Sequence, residues 1–260
     1  MALTFQKPPL NEVALGYSFL PRPDLLIPHL GRFWAEIDSA YPSCQHAAPI
    51  IDNADADAAA FGDLPLPRIW FTSKDGTRLV QLQQDRLIFN WRDTGSGEPY
   101  ERFPAVQAEF ERVDDLFRAY VERLTGEAIH PAMYSLTYVN MIKQGDGWST
   151  FEDVGRVFPD LQWRAESRFL PTPSEIAWKA SFALPNGFGR LTAHVQPAKL
   201  VRDSQPVLKF ELTANSGSLG GRAIDRREWI DLAHNWVIQS FKDLTGNEMH
   251  QNFWLLEEGA

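Results

Sequence analysis

The chain has 260 residues, a formal net charge of -9, and 44% hydrophobic against 23% charged residues. That is globular composition, and the length suits one large domain or two of about 130 residues each. The acidic balance disfavours a protein that tracks nucleic-acid phosphates, since neutralising phosphates with Lys and Arg supplies most of such affinity. The single cysteine, Cys44, excludes an internal disulfide and a structural zinc site of several thiolates. It stands at no spacing that marks a nucleophile and reads as an ordinary buried or half-buried thiol. Met1 to Pro9 lacks a cationic region followed by an apolar run, and no stretch reaches about 18 apolar residues, so a cytoplasmic chain is expected. Nine Trp and seventeen Phe supply rings expected mainly in the core.

In chain order, Val13, Leu15, Tyr17 and Phe19 alternate with smaller or polar residues and predict a half-buried strand. Pro21 and Pro23 end it, and Asp24 is placed to cap a helix whose apolar face carries Leu26, Ile27, Leu30, Phe33, Trp34 and Ile37. Residues 47–66 hold Asp52, Asp55 and Asp57 among small residues. They lack the glycine and closing glutamate of an EF-hand and read as a solvated loop. Three strands follow at Arg68 to Lys74, Thr77 to Gln84 and Arg86 to Arg92, the first two joined by an Asp75-Gly76 hairpin signal. A long amphipathic helix from about Phe103 to Leu124 and a strand at Tyr134 to Ile142 complete the half.

The second half repeats this order. A helix is predicted at Phe151 to Leu161, strands at Glu175 to Leu184, Arg190 to Gln196 and Val207 to Thr213, a helix at Arg226 to Leu244, and a strand at Asn252 to Leu256. Leu124-Thr125-Gly126-Glu127-Ala128-Ile129-His130 aligns without gaps on Leu244-Thr245-Gly246-Asn247-Glu248-Met249-His250, with the helical stripe ahead of both in register. A tandem duplication explains the match. The expected architecture is α+β, two similar lobes at 1–143 and 144–260, each an antiparallel sheet with helices on one face. Glycine just past each helix end fits a left-handed C-cap.

The chemistry-bearing residues are scattered. His130 and His250 sit at the repeated corners and read as capping groups, and no His or Cys spacing suits a metal, so neither metal nor cofactor is expected. The Asn215–Arg222 loop precedes a helix but lacks a Walker A ending, and Asp225 with Glu228 fits a capping box that already occupies the first free N–H groups. The most distinctive string runs from Gln81 to Arg92. Alternation puts Phe89 and Trp91 on one face, and Asn90 and Arg92 on the other, so Arg86, Asn90 and Arg92 are the candidate ligand-binding residues.

Pro8-Pro9-Leu10-Asn11-Glu12-Val13, the Leu79-to-Arg86 and Asn90-Trp91-Arg92 core, and Tyr138-Val139-Asn140 resemble a sporadically distributed family of uncharacterised bacterial proteins of similar length. The resemblance covers most of the chain. It implies a patchily inherited accessory protein of mobile-element or defence-related loci, and it carries over no activity and no catalytic residue.

Two functions remain open from the sequence. The favoured one is a non-catalytic binding protein that takes a small anionic ligand or a protein partner in a cleft where aromatics and Arg86 or Arg92 meet. The other is an enzyme acting on a nucleotide or nucleic-acid phosphate, which expects His130 or His250 beside an arginine or carboxylate.

Overall fold

The computed structural model describes residues 3–50, 67–97, 99–163, 168–220 and 224–258. The acidic stretch Asp52 to Asp57 lies outside them, so the expected solvated loop does too. In chain order the elements are β1 (Leu3–Phe5), β2 (Leu10–Phe19), α1 (Ile27–Ile37), β3 (Ser43–Ala47), β4 (Arg68–Thr72), β5 (Arg78–Gln83), β6 (Arg86–Arg92), α2 (Phe103–Thr125) and β7 (Pro131–Lys143). A 3-10 turn at Phe151–Asp153 then leads to α3 (Val154–Val157), β8 (Trp178–Ala183), β9 (Arg190–Lys199), β10 (Pro206–Asn215), α4 (Arg226–Leu244), α5 (Asn247–Asn252) and β11 (Leu256–Glu258). The chain is thus a mixed α+β protein with extensive antiparallel sheet. Among the described residues no helix is long and apolar enough to cross a membrane.

Two compact units emerge, neither continuous in sequence. One comprises Val13–Ser135 with Ser218–Arg222, the other Met1–Glu12, Leu136–Gly217 and Ala223–Ala260. We call them the N-terminal and C-terminal units.

In the N-terminal unit the strand order is β3-β4-β5-β6-β2. β3 to β6 form an antiparallel meander, with Cys44 opposite Phe71, Phe71 opposite Val80, and Val80 opposite Phe89. α1 and α2 cover one face. Phe33 meets Phe71 and Phe117 edge-on, and Trp34 stacks parallel on Phe71 at 6.3 Å. Pro28 falls in the first turn of α1, where its missing N–H costs no bond, so the helix runs on unbroken. Asp24 does not cap α1; Leu26 stands at the N-cap, and the Asp24 carboxylate instead takes two bonds from Arg22. The Asp75-Gly76 turn is also longer than the expected two residues. Residues 73–77 form the connection, with Asp75 accepting from the Ser73 hydroxyl and the Thr77 N–H while Gly76 takes a positive φ of 77°.

In the C-terminal unit the order is β7-β10-β9-β8. α4 packs on β10 and β9, fully burying Trp229, Ile230, Ala233 and Val237. Asp225 caps that helix as expected, its carboxylate accepting the Glu228 N–H at 2.8 Å. β1 and β11 pair in a two-stranded sheet, which sets Phe5 edge-on to Phe241 at 5.1 Å. Where a helix was expected from Phe151 to Leu161, only the 3-10 turn and the four-residue α3 form.

The Leu-Thr-Gly corners share one contact and then part. Thr125 and Thr245 each donate a hydroxyl bond to the carbonyl four residues earlier, of Val121 and Phe241. Gly126 is the left-handed C-cap that was expected, with φ 76° and its N–H on the Glu122 carbonyl. Gly246 is not, since its φ is -73° and it starts α5. A Cβ there would stand 2.1 Å from the Arg156 carbonyl oxygen, so glycine serves close backbone approach at this corner. Beyond it the chain makes α5 and the short β11 rather than the strand expected at Asn252 to Leu256.

Candidate functional site

Strand alternation divides β4, β5 and β6 into two chemically distinct faces. Ile69, Phe71, Val80, Leu82, Leu87, Phe89 and Trp91 are buried on the helix side. Arg68, Trp70, Gln81, Gln83, Arg86, Asn90 and Arg92 point the other way, as the register of the three strands requires.

This polar face is tightly wired. The Trp70 indole N–H donates to Gln81 Oε1 at 3.0 Å, and Gln81 Nε2 donates to Asn90 Oδ1 at 2.7 Å. Gln83 clasps the Ile50 backbone, accepting its N–H at 2.9 Å and donating to its carbonyl at 3.1 Å. Gln81, Gln83, Arg86 and Asn90 are all buried. Low-dielectric surroundings make such a connected ladder rigid and costly to interrupt.

The three candidate residues have different fates. Arg86 is bound through Nε and Nη2 to the carboxylate of its neighbour Asp85, at 3.1 and 2.7 Å, and is largely committed. Asn90 is 2% exposed and belongs to the ladder. Arg92 is half-buried, and its Nη2 donates to the Gly76 carbonyl at 3.1 Å. Its Nε is buried and meets no acceptor. The guanidinium carbon lies 5.8 Å from the centre of the Trp70 ring, and that of Arg68 lies 5.5 Å from the same ring. Trp70 is therefore the centre of an Arg-aromatic-Arg cluster, with two planar cations near one indole. Sequence reading picked out Arg92 but missed Arg68 and Trp70. The signal was the alternation of Arg68-Ile69-Trp70-Phe71-Thr72, which sets Arg68 and Trp70 on the face shared with Asn90.

The other chemical groups are elsewhere. His250 is 2% exposed among Phe5 and Trp254. The Thr245 hydroxyl donates to Phe241, so His250 donates its Nε2–H to that hydroxyl oxygen at 2.7 Å. Burial, with Lys242 adding to it, holds the His250 pKa below the usual imidazole range. His130 is exposed and lines a cavity of about 440 Å³ with Phe19, Arg22, Asp24 and Glu127. Arg22 there is already paired to Asp24 at 2.6 Å. Cys44 is exposed rather than buried, on β3, which among the described residues pairs with β4 alone, and partial desolvation raises its pKa, so it is no ready thiolate. Among the described residues no group of His, Cys, Asp and Glu could hold a metal ion.

His234, whose ring lies tilted against Tyr138 with centroids 6.1 Å apart, carries the clearest pH dependence. Burial pushes its pKa down from 6.5 to about 4. A depressed folded pKa means that the unfolded chain binds the proton first. Its contribution is therefore complete above pH 6.5 and is lost as the pH falls towards 4, by about 2–3 kcal/mol in all. Urea unfolding of wild type and His234→Gln at pH 7 and pH 5 checks this. The wild type is expected to lose more stability than the variant; equal losses would contradict the assignment.

No family model matches the chain. No curated protein matches it either. Among solved structures it is similar to the substrate-free duplicated taurocyamine kinase from Schistosoma mansoni, at 11% identity and a TM-score of 0.40 over 90% of this chain and 33% of that one. The chain thus spans about a third of the length of that protein. It is also similar to DynU16, a protein of the dynemicin biosynthetic locus, at 11% identity and a TM-score of 0.29 over 90% of this chain and 96% of that one. Both likenesses are too distant to carry function.

Proposed function

We propose that this chain is a non-catalytic binding protein whose polar β4-β5-β6 face takes an anionic group, from a small ligand or from a segment of a protein partner. One observation carries the reading: the half-buried Arg92 keeps a buried Nε–H without an acceptor while its other end is anchored on Gly76. An unbonded buried donor on a fixed cation is costly unless an acceptor arrives. Trp70 supports the reading by offering a flat surface beside two guanidiniums, and the Gln81–Asn90 ladder holds that surface still. Arg68 and Arg92 are the recognition residues of this proposal, Asn90 holds Trp70 between them through Gln81, and Arg86 is committed to Asp85.

The expected result of mixing the purified protein with a cell extract is retention of an anionic species that Arg92→Ala loses at least tenfold. Retention by the variant equal to wild type would sink the site.

We further propose that the chain is a tandem duplication, with copies that start at β2 and β7 rather than at residues 1 and 144, so that β7 opens the second copy instead of closing the first. Val13, Leu15 and Tyr17 of β2 correspond to Tyr134, Leu136 and Tyr138 of β7, and in each unit that first strand lies beside the last strand of its meander. Each tyrosine faces the same position of the following long helix: Tyr17 bonds Asp114, and Tyr138 packs at a tilt against His234. The paired Thr125 and Thr245 hydroxyl bonds fall at the same offset.

The enzymatic alternative, action on a nucleotide or nucleic-acid phosphate, draws only on His130, which shares its cavity with Arg22, Asp24 and Glu127. There the arginine is spent on the aspartate, and His250 is turned into the core.

A further inference from the structure

β8 is left open on a face and on an edge, in a way that its counterpart β4 is not. Leu191, Ala193 and Val195 of β9 are fully buried, and their partners across the ladder are Phe182, Ala180 and Trp178. These three β8 residues therefore lie on the core side of the sheet, yet Trp178 and Ala180 are only half-buried and Phe182 is 39% exposed. In the N-terminal unit the core side of β4 is sealed: Ile69 and Phe71 are buried, α1 lays Phe33 and Trp34 on Phe71, and β3 pairs along the outer edge. Among the described residues of the C-terminal unit no helix of that length lies between β7 and β8. The one-turn α3 is tied instead to α5, through Gly246 N–H on the Val157 carbonyl and Arg156 on Glu248. Among the described residues β8 pairs with β9 alone. Phe169 and Leu170, in the segment leading into β8, are exposed as well.

We propose that β8 is a dimer interface, and that its occupant is the β8 strand of a second copy of this chain. The sequence Trp178-Lys179-Ala180-Ser181-Phe182 is self-complementary about Ala180. A twofold axis normal to the sheet keeps the core sides together, so residues pair with partners of the same face. Antiparallel pairing centred on Ala180 then sets Trp178 opposite the second copy's Phe182 twice over, with Ala180 opposite itself. Aromatic cross-strand pairs are a favoured way to stabilise such a ladder. On the other face Lys179 meets Ser181, so no charge opposes its like. The contact packs each Phe182 beside the second copy's Trp178 and satisfies the free edge in one step. This comparison of β8 with β4 holds whether or not the two units descend from one ancestor, and it does not involve the Arg92 site.

Sedimentation velocity of the full chain, over a wide range of concentration, is expected to show a species of twice the 29.5 kDa chain mass. Phe182→Asp should return it to monomer with an unchanged far-UV CD spectrum. The register is tested separately in a Cys44→Ser background. Ala180→Cys places two thiols across the axis at a separation a disulfide can span, and oxidation should crosslink the dimer. Ser181→Cys should not crosslink, because its counterpart lies further along the strand. A wild type that stays monomeric at every concentration overturns the proposal, and so does a dimer that survives Phe182→Asp while Ala180→Cys fails to crosslink.

Discussion

Replacing Asp114 by alanine is expected to cost the N-terminal unit about 3 kcal/mol, because it strands a cation inside the protein. Asp114 is 0% exposed on α2, in the stripe that otherwise carries Phe110, Val113 and Phe117. Its carboxylate accepts from the Tyr17 hydroxyl at 2.7 Å and from Arg118 Nε at 2.8 and 2.9 Å. Arg118 Nη1 also donates to the Ile129 carbonyl, and the guanidinium lies 4.9 Å from the centre of the Tyr17 ring. Burial raises the Tyr17 pKa well above its usual value, and the Asp114 charge adds to it, so the phenol stays a donor. The loss falls short of the upper range for a buried pair because the Arg118 side chain keeps 28% of its surface in water. Asp114→Leu combined with Arg118→Met should recover part of the loss, since an apolar pair has no charge to leave unpaired, and adding Tyr17→Phe should recover more by removing the buried hydroxyl that loses its acceptor. Urea midpoints of the single and double variants measure both effects. A double variant no more stable than Asp114→Ala would show that shape rather than charge sets the cost.

Gly189→Ala is expected to be at least as damaging to the C-terminal unit. Gly189 has φ 110°, where a side chain is strained, and a Cβ built on it stands 1.9 Å from the Asn215 carbonyl oxygen. The next atoms met, at 2.6 and 2.7 Å, are the carbonyl carbon and Cα of Ser216, so no flexible side chain can yield. The loop cannot swing aside freely, because the buried Trp229 donates its indole N–H to the Phe188 carbonyl at 3.0 Å. A loss of more than about 3 kcal/mol follows from combined overpacking and backbone strain. Thermal unfolding reads it directly, and a Tm within a degree or two of wild type would contradict the close approach.

The two long helices α2 and α4 were legible because their signals are local. The stripes ending at Thr125 and Leu244 repeat every three to four residues over many turns, and α2 and α4 end within a residue of the places the sequence indicates. The polar face of β6 was legible for a similar reason, since alternation alone separates Asn90 and Arg92 from Phe89 and Trp91. What escaped depends on contacts distant in sequence. Pairing Trp70 with Gln81 needs the β4–β5 register, and pairing β1 with β11 joins opposite ends of the chain. Gly246 looked like Gly126 because both are glycines after Leu-Thr. Only the approach of Arg156, ninety residues earlier, gives it a different task. Asp114 escaped because a buried acid inside an apolar stripe betrays itself only through Tyr17, nearly a hundred residues away.

The reading of the polar β4-β5-β6 face as a binding site, rather than a catalytic one, is tested most directly by native mass spectrometry. Wild type, Arg92→Ala and Trp70→Ala would each be equilibrated with the same metabolite and peptide extract. Wild type is predicted to retain an anionic species unchanged in mass, and both variants to lose it while keeping the wild-type CD spectrum. The same bound species on all three proteins, no bound species on any, or turnover of the extract component by wild type would contradict it.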